Sequence, residues 1–318
     1  MHIVIFRALK LGDLLCTVPA FRALRKAFSQ ARISLMGLPW SATFVERYYC
    51  YIDDFIHFPG YPGLPEQPVH IDAINSFFYD MKKSHIDLLL QMQGNGSIVN
   101  DMLEQLHPRC LAGFCEAGDK RSGTRNFLEY PEKIHEIQKH LALLQHLHIP
   151  HDGIHIDFPF TDADEKELEK LDINLDKPYI CIHPGSALIT RQWPPELFAR
   201  IAAHFMDKGF TILLTGGPQE KALTGTINHV LRGRAIDIAG HTTLGSLALI
   251  LRHASGLISN CTGVSHLGAA TKTKSVVISM DGEPHRWGPL DTSRHATIDW
   301  LKHDSYDSVL ATASQLIS

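Results

Sequence analysis

Short apolar runs of strand length alternate with longer segments of helical period along nearly the whole chain, and the alternation is interrupted at Ile149-Pro150-His151-Asp152-Gly153. A strand followed by a helix and another strand is built to pair in parallel, because the crossover returns the chain to the end where it started. Before the break, strands are expected near 2–6, 32–36, 54–58, 87–92 and 109–114, with helices near 14–28, 41–51, 70–84, 97–107 and 132–148. After it, strands near 179–183, 211–215, 235–238, 256–260 and 275–280 alternate with helices near 195–208, 218–231, 244–254 and 263–272. The fold class is therefore α/β. Two Rossmann-like domains, 1–152 and 153–318, are expected to face each other across a central cleft, with a last helix near 305–317 packing back on the first.

A chain of 318 residues with 44% hydrophobic content suffices for two cores, and a net charge of −4 argues against a nucleic-acid binder. The first fifty residues hold seven basic and two acidic side chains, a basic end suited to an anionic acceptor or membrane surface. No apolar run reaches the roughly 20 residues of a membrane span, and Met1 leads straight into a strand, so the expectation is cytoplasmic. Cysteines 16, 50, 110, 115, 181 and 261 lack metal-ligand spacing and read as reduced thiols. His140, His146, His148, His151 and His155 close no ligand set and read as surface histidines.

Four segments place small or polar residues where strands end. Leu257-Ile258-Ser259-Asn260-Cys261-Thr262-Gly263-Val264-Ser265-His266 turns from strand to helix and aims unpaired helix amides at whatever sits above the sheet, a natural phosphate site. Arg7 to Asp13 forms a loop after the first strand, which puts Asp13 at the strand's carboxyl end, where ligands of open α/β sheets collect; a helix-capping role competes with that reading. His183-Pro184-Gly185-Ser186 continues through Arg191-Gln192-Trp193-Pro194, and Thr215-Gly216-Gly217-Pro218 leads to Glu220. Two tempting signals are discounted. Asp162-Ala163-Asp164 opens a charged helix and reads as its cap, and Gly216 to Lys221 lacks the Gly-Lys-Ser/Thr of a P-loop. The Tyr, Pro and Gly cluster from Phe58 to Pro68 reads as a long loop on the acceptor side.

Taken in order, Gly12-Asp13-x-Leu15, Thr17-x-Pro19-Ala20, His183-Pro184-Gly185, Arg191-x-Trp193-Pro194, Gly216-Gly217-Pro218-x-Glu220, Ala239-Gly240-x-Thr242-Thr243-Leu244 and Ser259-Asn260-x-Thr262-Gly263-x-x-His266-Leu267 resemble the heptosyltransferases of glycosyltransferase family nine. The resemblance implies a GT-B architecture and inverting, metal-independent transfer of heptose from ADP-heptose to a lipopolysaccharide inner-core (Kdo/heptose) acceptor. No cofactor is implied beyond the sugar-nucleotide substrate, and contact with the cytoplasmic face of the inner membrane is. Asp13 matches the general base. Ser186, Arg191, Gly216, Gly217, Glu220, Thr242, Cys261, Thr262, Gly263 and His266 match the donor side, with Glu220 on the ribose, Thr242 at the adenine and Arg191, where Lys is usual, on the diphosphate. Arg7, Lys10, Gly12, Lys120 and Arg121 are assigned to the anionic acceptor. Cys261 departs from the pattern, which has an acidic residue there, and this departure leaves the donor sugar open. Another nucleoside-diphosphate sugar or acceptor, an epimerase and a non-catalytic sugar-nucleotide binder are the competing readings.

Overall fold

The strand sequences carry few charged side chains: His2–Phe6 reads HIVIF and Ser275–Ser279 reads SVVIS, and almost every residue in them is buried. Strands of that composition need cover on both faces, which crossover helices supply. The computed structural model describes residues 1–317, and among these residues it forms two such covered sheets. The chain divides into two units, Met1–His155 and Ile156 onward.

The first unit runs β1 (His2–Phe6), α1 (Leu11–Ala27), β2 (Arg32–Gly37), α2 (Ser41–Arg47), β3 (Asp54–His57), α3 (Ile71–Met81), β4 (Leu88–Gln91), α4 (Val99–Glu104), β5 (Leu111–Cys115), β6 (Phe127–Glu129) and α5 (Glu136–His146). Its six strands, in the order β3-β2-β1-β4-β5-β6, are all parallel. The second unit begins with α6 (Asp162–Glu169) and β7 (Tyr179–His183), then α7 (Pro195–Asp207), β8 (Thr211–Leu214), α8 (Lys221–Val230), β9 (Ile236–Asp237) and α9 (Leu244–His253). It closes with β10 (Gly256–Asn260), α10 (Gly263–Ala270), β11 (Ser275–Ser279), α11 (Pro284–Trp287), β12 (His295–Asp299) and α12 (Tyr306–Ile317). The order β12-β11-β10-β7-β8-β9 is again all parallel. In each sheet the first and fourth strands are neighbours, β1 with β4 and β7 with β10, and the chain winds away from that pair in both directions. Loops leaving the carboxyl ends of such a pair part from each other and open a crevice, the usual ligand position in this topology.

Four expectations change. The first unit extends to His155 because Arg22 of α1 holds the segment after the break: its guanidinium donates to Asp152 Oδ1 at 2.9 Å, the Gly153 carbonyl at 3.3 Å and the His155 carbonyl at 2.9 Å. The last helix lies against β11 and β12 of the second unit, where Val309, Ala313 and Ile317 join the core around Trp193 and Phe198. Helix α1 starts at Leu11, before Asp13, and contains Pro19. Strands β6 and β12, each at a sheet edge, escape the apolar pattern because one is three residues long and the other alternates polar side chains. The loop from Phe58 to Pro68 folds onto its own unit, with the Gln67 side-chain amide donating to the Phe58 carbonyl and Tyr61 packing on Phe78.

Candidate active site

In the first unit the β1–α1 connection is pinned from below by Arg7. Its side chain is fully buried, donating from Nε to the Asp13 carbonyl (3.1 Å), from one terminal nitrogen to the Met92 carbonyl just past β4, and from the other to Glu136 Oε1 (3.2 Å). That second terminal nitrogen also lies 3.5 Å from Asp13 Oδ1. Arg7 thus ties together the two loops that leave β1 and β4, and so holds the crevice of the first sheet in shape. Asp13 sits in the first turn of α1, its Oδ2 accepting from the Lys10 amide at 3.3 Å while its side chain stays 22% exposed. It is therefore both a helix-start carboxylate and the accessible acid at the crevice. Burial raises its proton affinity above the ordinary value; Arg7 opposes this and the Glu136 charge adds to it.

The acceptor assignments divide. Lys10 is exposed and Gly12 half-buried in α1, both beside Asp13. Arg7 is instead an interior ion-pair residue, out of reach of an acceptor, because its guanidinium is enclosed by Asp13, Glu136 and Met92. Arg121 is likewise committed, to Asp101, Glu104 and Asp119, and Lys120 reaches the first two of these at 3.8 and 3.5 Å. The basic excess of the first fifty residues is largely cancelled in space: Arg25 pairs with Asp53, Arg32 with Asp54, and Arg22 and Lys26 with Asp152. His140, expected at the surface, is buried against Phe114, and burial drops its pKa to about 4.

In the second unit the corresponding tie is Asn260, the last residue of β10. Fully buried, it accepts from the Trp193 amide at 2.9 Å and donates to the Pro184 carbonyl at 2.6 Å, fastening the His183-to-Trp193 connection across the β7–β10 crevice. Trp193 is itself buried against Phe198 and Trp300. At the crevice Thr262 caps α10 in extended conformation, so the amides that follow Gly263 open upward from the strand. His266, one turn along, is buried with its ring edge-on to Trp287. Cys261 is half-buried between strand and helix, and burial, with Asp281 next in effect, pushes its thiol up to about 12, so it stands there as a neutral group.

Arg191 ends a short 3-10 turn in the β7–α7 connection and is 45% exposed; its terminal nitrogen lies 3.7 Å from Asp281 Oδ2, a carboxylate only 8% exposed. Asp281 is oriented by the Ser279 hydroxyl at 2.7 Å and the Glu283 amide at 3.2 Å. Ser186 is half-buried, and its carbonyl accepts from the Gln192 side-chain amide at 3.2 Å. On the β8 side, Glu220 Oε2 accepts from the Gly217 amide at 2.6 Å and lies 3.7 Å from His183 Nε2. The carboxylate rests directly on Gly185, where a Cβ would fall 1.5 Å from Oε1, and a Cβ on Gly216 would come within 3.0 Å of the same side chain. Glycines at both places are what allow a carboxylate between the two loops. Thr242 is half-buried immediately before Thr243, whose hydroxyl accepts from the Ser246 amide to start α9. The structure thus gathers the donor assignments at the carboxyl ends of neighbouring strands β7, β8, β9 and β10.

Glu136, Asn260 and Asp281 touch these groups and carry no site role in the sequence reading, although Asn260 stands in one of its motifs. Asn260 has a signal, a polar residue closing the strand that begins with the apolar Leu257-Ile258, and Asp281 has the same one as Asp13, an acid just past a strand end. Glu136 has none, being 129 positions from Arg7. Asp164 accepts from the Thr161 amide at 2.9 Å and is buried at the start of α6, which accounts for the Asp-x-Asp pair. Among the described residues no three His, Cys, Asp or Glu side chains are grouped to hold a metal, and no helix is long and apolar enough to cross a membrane.

Comparison with known proteins places these features. Residues 81–311 match the model of glycosyltransferase family 9 (heptosyltransferase). Lipooligosaccharide heptosyltransferase 2 of Haemophilus ducreyi is 23% identical over 307 residues, 89% of this chain and 83% of that protein; lipopolysaccharide heptosyltransferase 3 of Escherichia coli is 22% identical, covering 85% and 79%. Among solved structures, a glycosyl transferase family 9 protein of Veillonella parvula superposes with a TM-score of 0.80 at 20% identity, covering 99% and 97% of the two chains. E. coli ADP-heptose heptosyltransferase II does so at 0.79 and 16% identity, covering 100% and 98%. The fold is accordingly GT-B, with a parallel six-stranded sheet in each unit. With the family model covering more than two thirds of its length, the chain belongs to glycosyltransferase family 9, the heptosyltransferase family, and is a glycosyltransferase.

Proposed function

We propose that this enzyme transfers heptose from ADP-heptose to the inner core of lipopolysaccharide, with inversion at the anomeric carbon and without a metal. The observation that carries the reading is the pairing, in the second sheet, of an open helix start at Thr262–Gly263 with a half-exposed arginine and an acid–glycine pocket at Glu220. The family relatives whose names specify heptose transfer support the sugar and the acceptor class.

In this mechanism the bond from the anomeric carbon to the β-phosphate oxygen breaks, and its electron pair leaves with ADP. The α10 amides and the Arg191 guanidinium meet the charge that develops there. Ser186 donates a further hydrogen bond, Glu220 accepts from the ribose hydroxyls, and Thr242 borders the adenine. The acceptor hydroxyl forms the new glycosidic bond from the opposite face as its proton passes to the Asp13 carboxylate. Lys10 beside Asp13 supplies positive charge toward an anionic acceptor. The cytoplasm, at the inner face of the inner membrane, is where such a donor and acceptor meet.

Incubation with ADP-heptose and a Kdo–lipid A acceptor, read by mass spectrometry, is expected to add one heptose. Incorporation from an ADP-hexose in preference would overturn the donor assignment, a result to which the neutral Cys261 makes this chain a sensitive witness. Chelator treatment is expected to leave the rate within a few-fold; complete loss, restored by magnesium or manganese, would overturn the metal-free assignment. Arg191→Ala should lower kcat/KM by roughly 10- to 100-fold, the loss of a charge-assisted hydrogen bond to phosphate, with part of the loss seen as weaker ADP binding in calorimetry. Unchanged kinetics would remove Arg191 from the donor site.

A further inference from the structure

Arg7 holds one cation between two carboxylates. Its terminal nitrogen is 3.2 Å from Glu136 Oε1 and 3.5 Å from Asp13 Oδ1. Asp13 is accessible, whereas Glu136 is buried at the first residue of α5, the helix that packs on α1. Glu136 is in turn faced by Lys139 Nζ, 3.4 Å from Oε2, and by His140 Nε2, 3.6 Å from Oε1; the Lys139 ammonium donates to the Tyr130 hydroxyl at 3.1 Å. From α1 and the loop before it, Asp13 itself meets Arg7 and the Lys10 amide; from α5 it feels Glu136. Among the described residues of the first unit Arg7 is the one arginine at 0% exposure, and Glu136 is the interior member of its carboxylate pair.

An arginine beside an aspartate ordinarily stabilises the carboxylate and makes it a poorer base. A second, buried carboxylate on the same guanidinium offsets that pull in two ways. It competes for the cation's hydrogen bonds, and its own negative charge disfavours a second one nearby. Burial works against the Glu136 charge, but the polar contact with the His140 ring and the charges of Arg7 and Lys139 outweigh it and hold the Glu136 carboxyl well below the usual range, so this group stays ionised whenever Asp13 titrates.

We propose that Glu136 is a positioning residue for transfer: acting through Arg7, it fixes the Asp13 carboxylate at the crevice and keeps it basic enough to take the acceptor's proton. This rests on the reading of Asp13 as the base. The consequence is that basicity at Asp13 is set from the interior of α5, and charge changes on either side of Glu136 move it in opposite directions.

The test is the pH dependence of kcat/KM together with a carboxyl-carbon NMR titration of Asp13 in the full-length enzyme, for the wild type, Glu136→Gln and Lys139→Met. Removing the Glu136 charge leaves Arg7 to Asp13 alone, so the acidic limb and the Asp13 titration should both move to lower pH, by on the order of one pH unit, with a few-fold lower plateau rate. Lys139→Met strips a counter-charge from Glu136 and should move both the other way. Glu136→Asp, which restores the charge, should return the limb toward the wild-type position. A uniform loss of rate with an unmoved limb and an unmoved Asp13 titration would make Glu136 a merely structural residue and overturn the proposal. Should Glu136→Gln fail to fold, an unmoved titration in Lys139→Met overturns it equally. Failure of the base reading is distinguishable, since it shows as wild-type-like turnover in Asp13→Asn whatever Glu136 does to the titration.

Discussion

Asp13→Asn is expected to lower kcat by roughly two to four decades, the usual cost of removing a general base, while ADP-heptose binds with little change. The substitution is nearly isosteric. The amide oxygen still accepts from the Lys10 amide, which lies 3.3 Å from the native Oδ2, so the start of α1 survives. The lost property is proton affinity: an amide cannot take the acceptor's proton, and no other carboxylate in the first unit combines exposure with a place at the carboxyl end of β1. The drop should fall on kcat more than on KM, because the proton moves only in the transition state. Single-turnover transfer with saturating donor, alongside calorimetry with ADP, measures both parts. Wild-type-like turnover would take Asp13 out of the chemistry and leave it a helix-start carboxylate.

Asn260→Ala should cost the second unit about 2–4 kcal/mol and, in the fraction still folded, weaken donor binding at least tenfold. The side chain joins β10 to the β7–α7 connection through the Trp193 amide and the Pro184 carbonyl, with a longer contact of 3.4 Å to the Gly185 carbonyl. Alanine would leave these backbone groups without their partner in an enclosed space, which is worse than never having built the tie. The loop they belong to carries Ser186 and Arg191, so loosening it misplaces two groups assigned to the diphosphate. Urea unfolding monitored at the tryptophans and ADP calorimetry on the same variant separate the two effects. A stability loss without weaker ADP binding would show that the donor groups hold their places without this tie. No change in either would mean that water replaces the amide.

The strand runs and the break before His155 determined most of the fold. Apolar segments such as HIVIF and SVVIS, spaced by helices, admit little but covered parallel sheets, and the loop residues that follow them, Asp13, Ser186, Glu220 and Thr262, were legible as ligand-facing because position along the chain fixes which end of a parallel strand a loop leaves. Edge strands β6 and β12 were not legible, since an edge needs less apolar surface and the pattern fades with it.

What the tertiary structure alone decided is partnership. Seven basic residues in the first fifty looked like an acceptor surface, yet Arg7, Arg22, Arg25 and Arg32 find their acids at Glu136, Asp152, Asp53 and Asp54, brought close by sheet order and by the packing of α5 on α1. The same holds for His140, turned inward by α5, and for Asp281, which the strand order sets beside Arg191. Local sequence fixes which residues face a strand end because backbone geometry is local. Which charges neutralise one another depends on distances of a few ångströms between segments 22 to 130 residues apart, and those distances exist only once the sheet has chosen its neighbours.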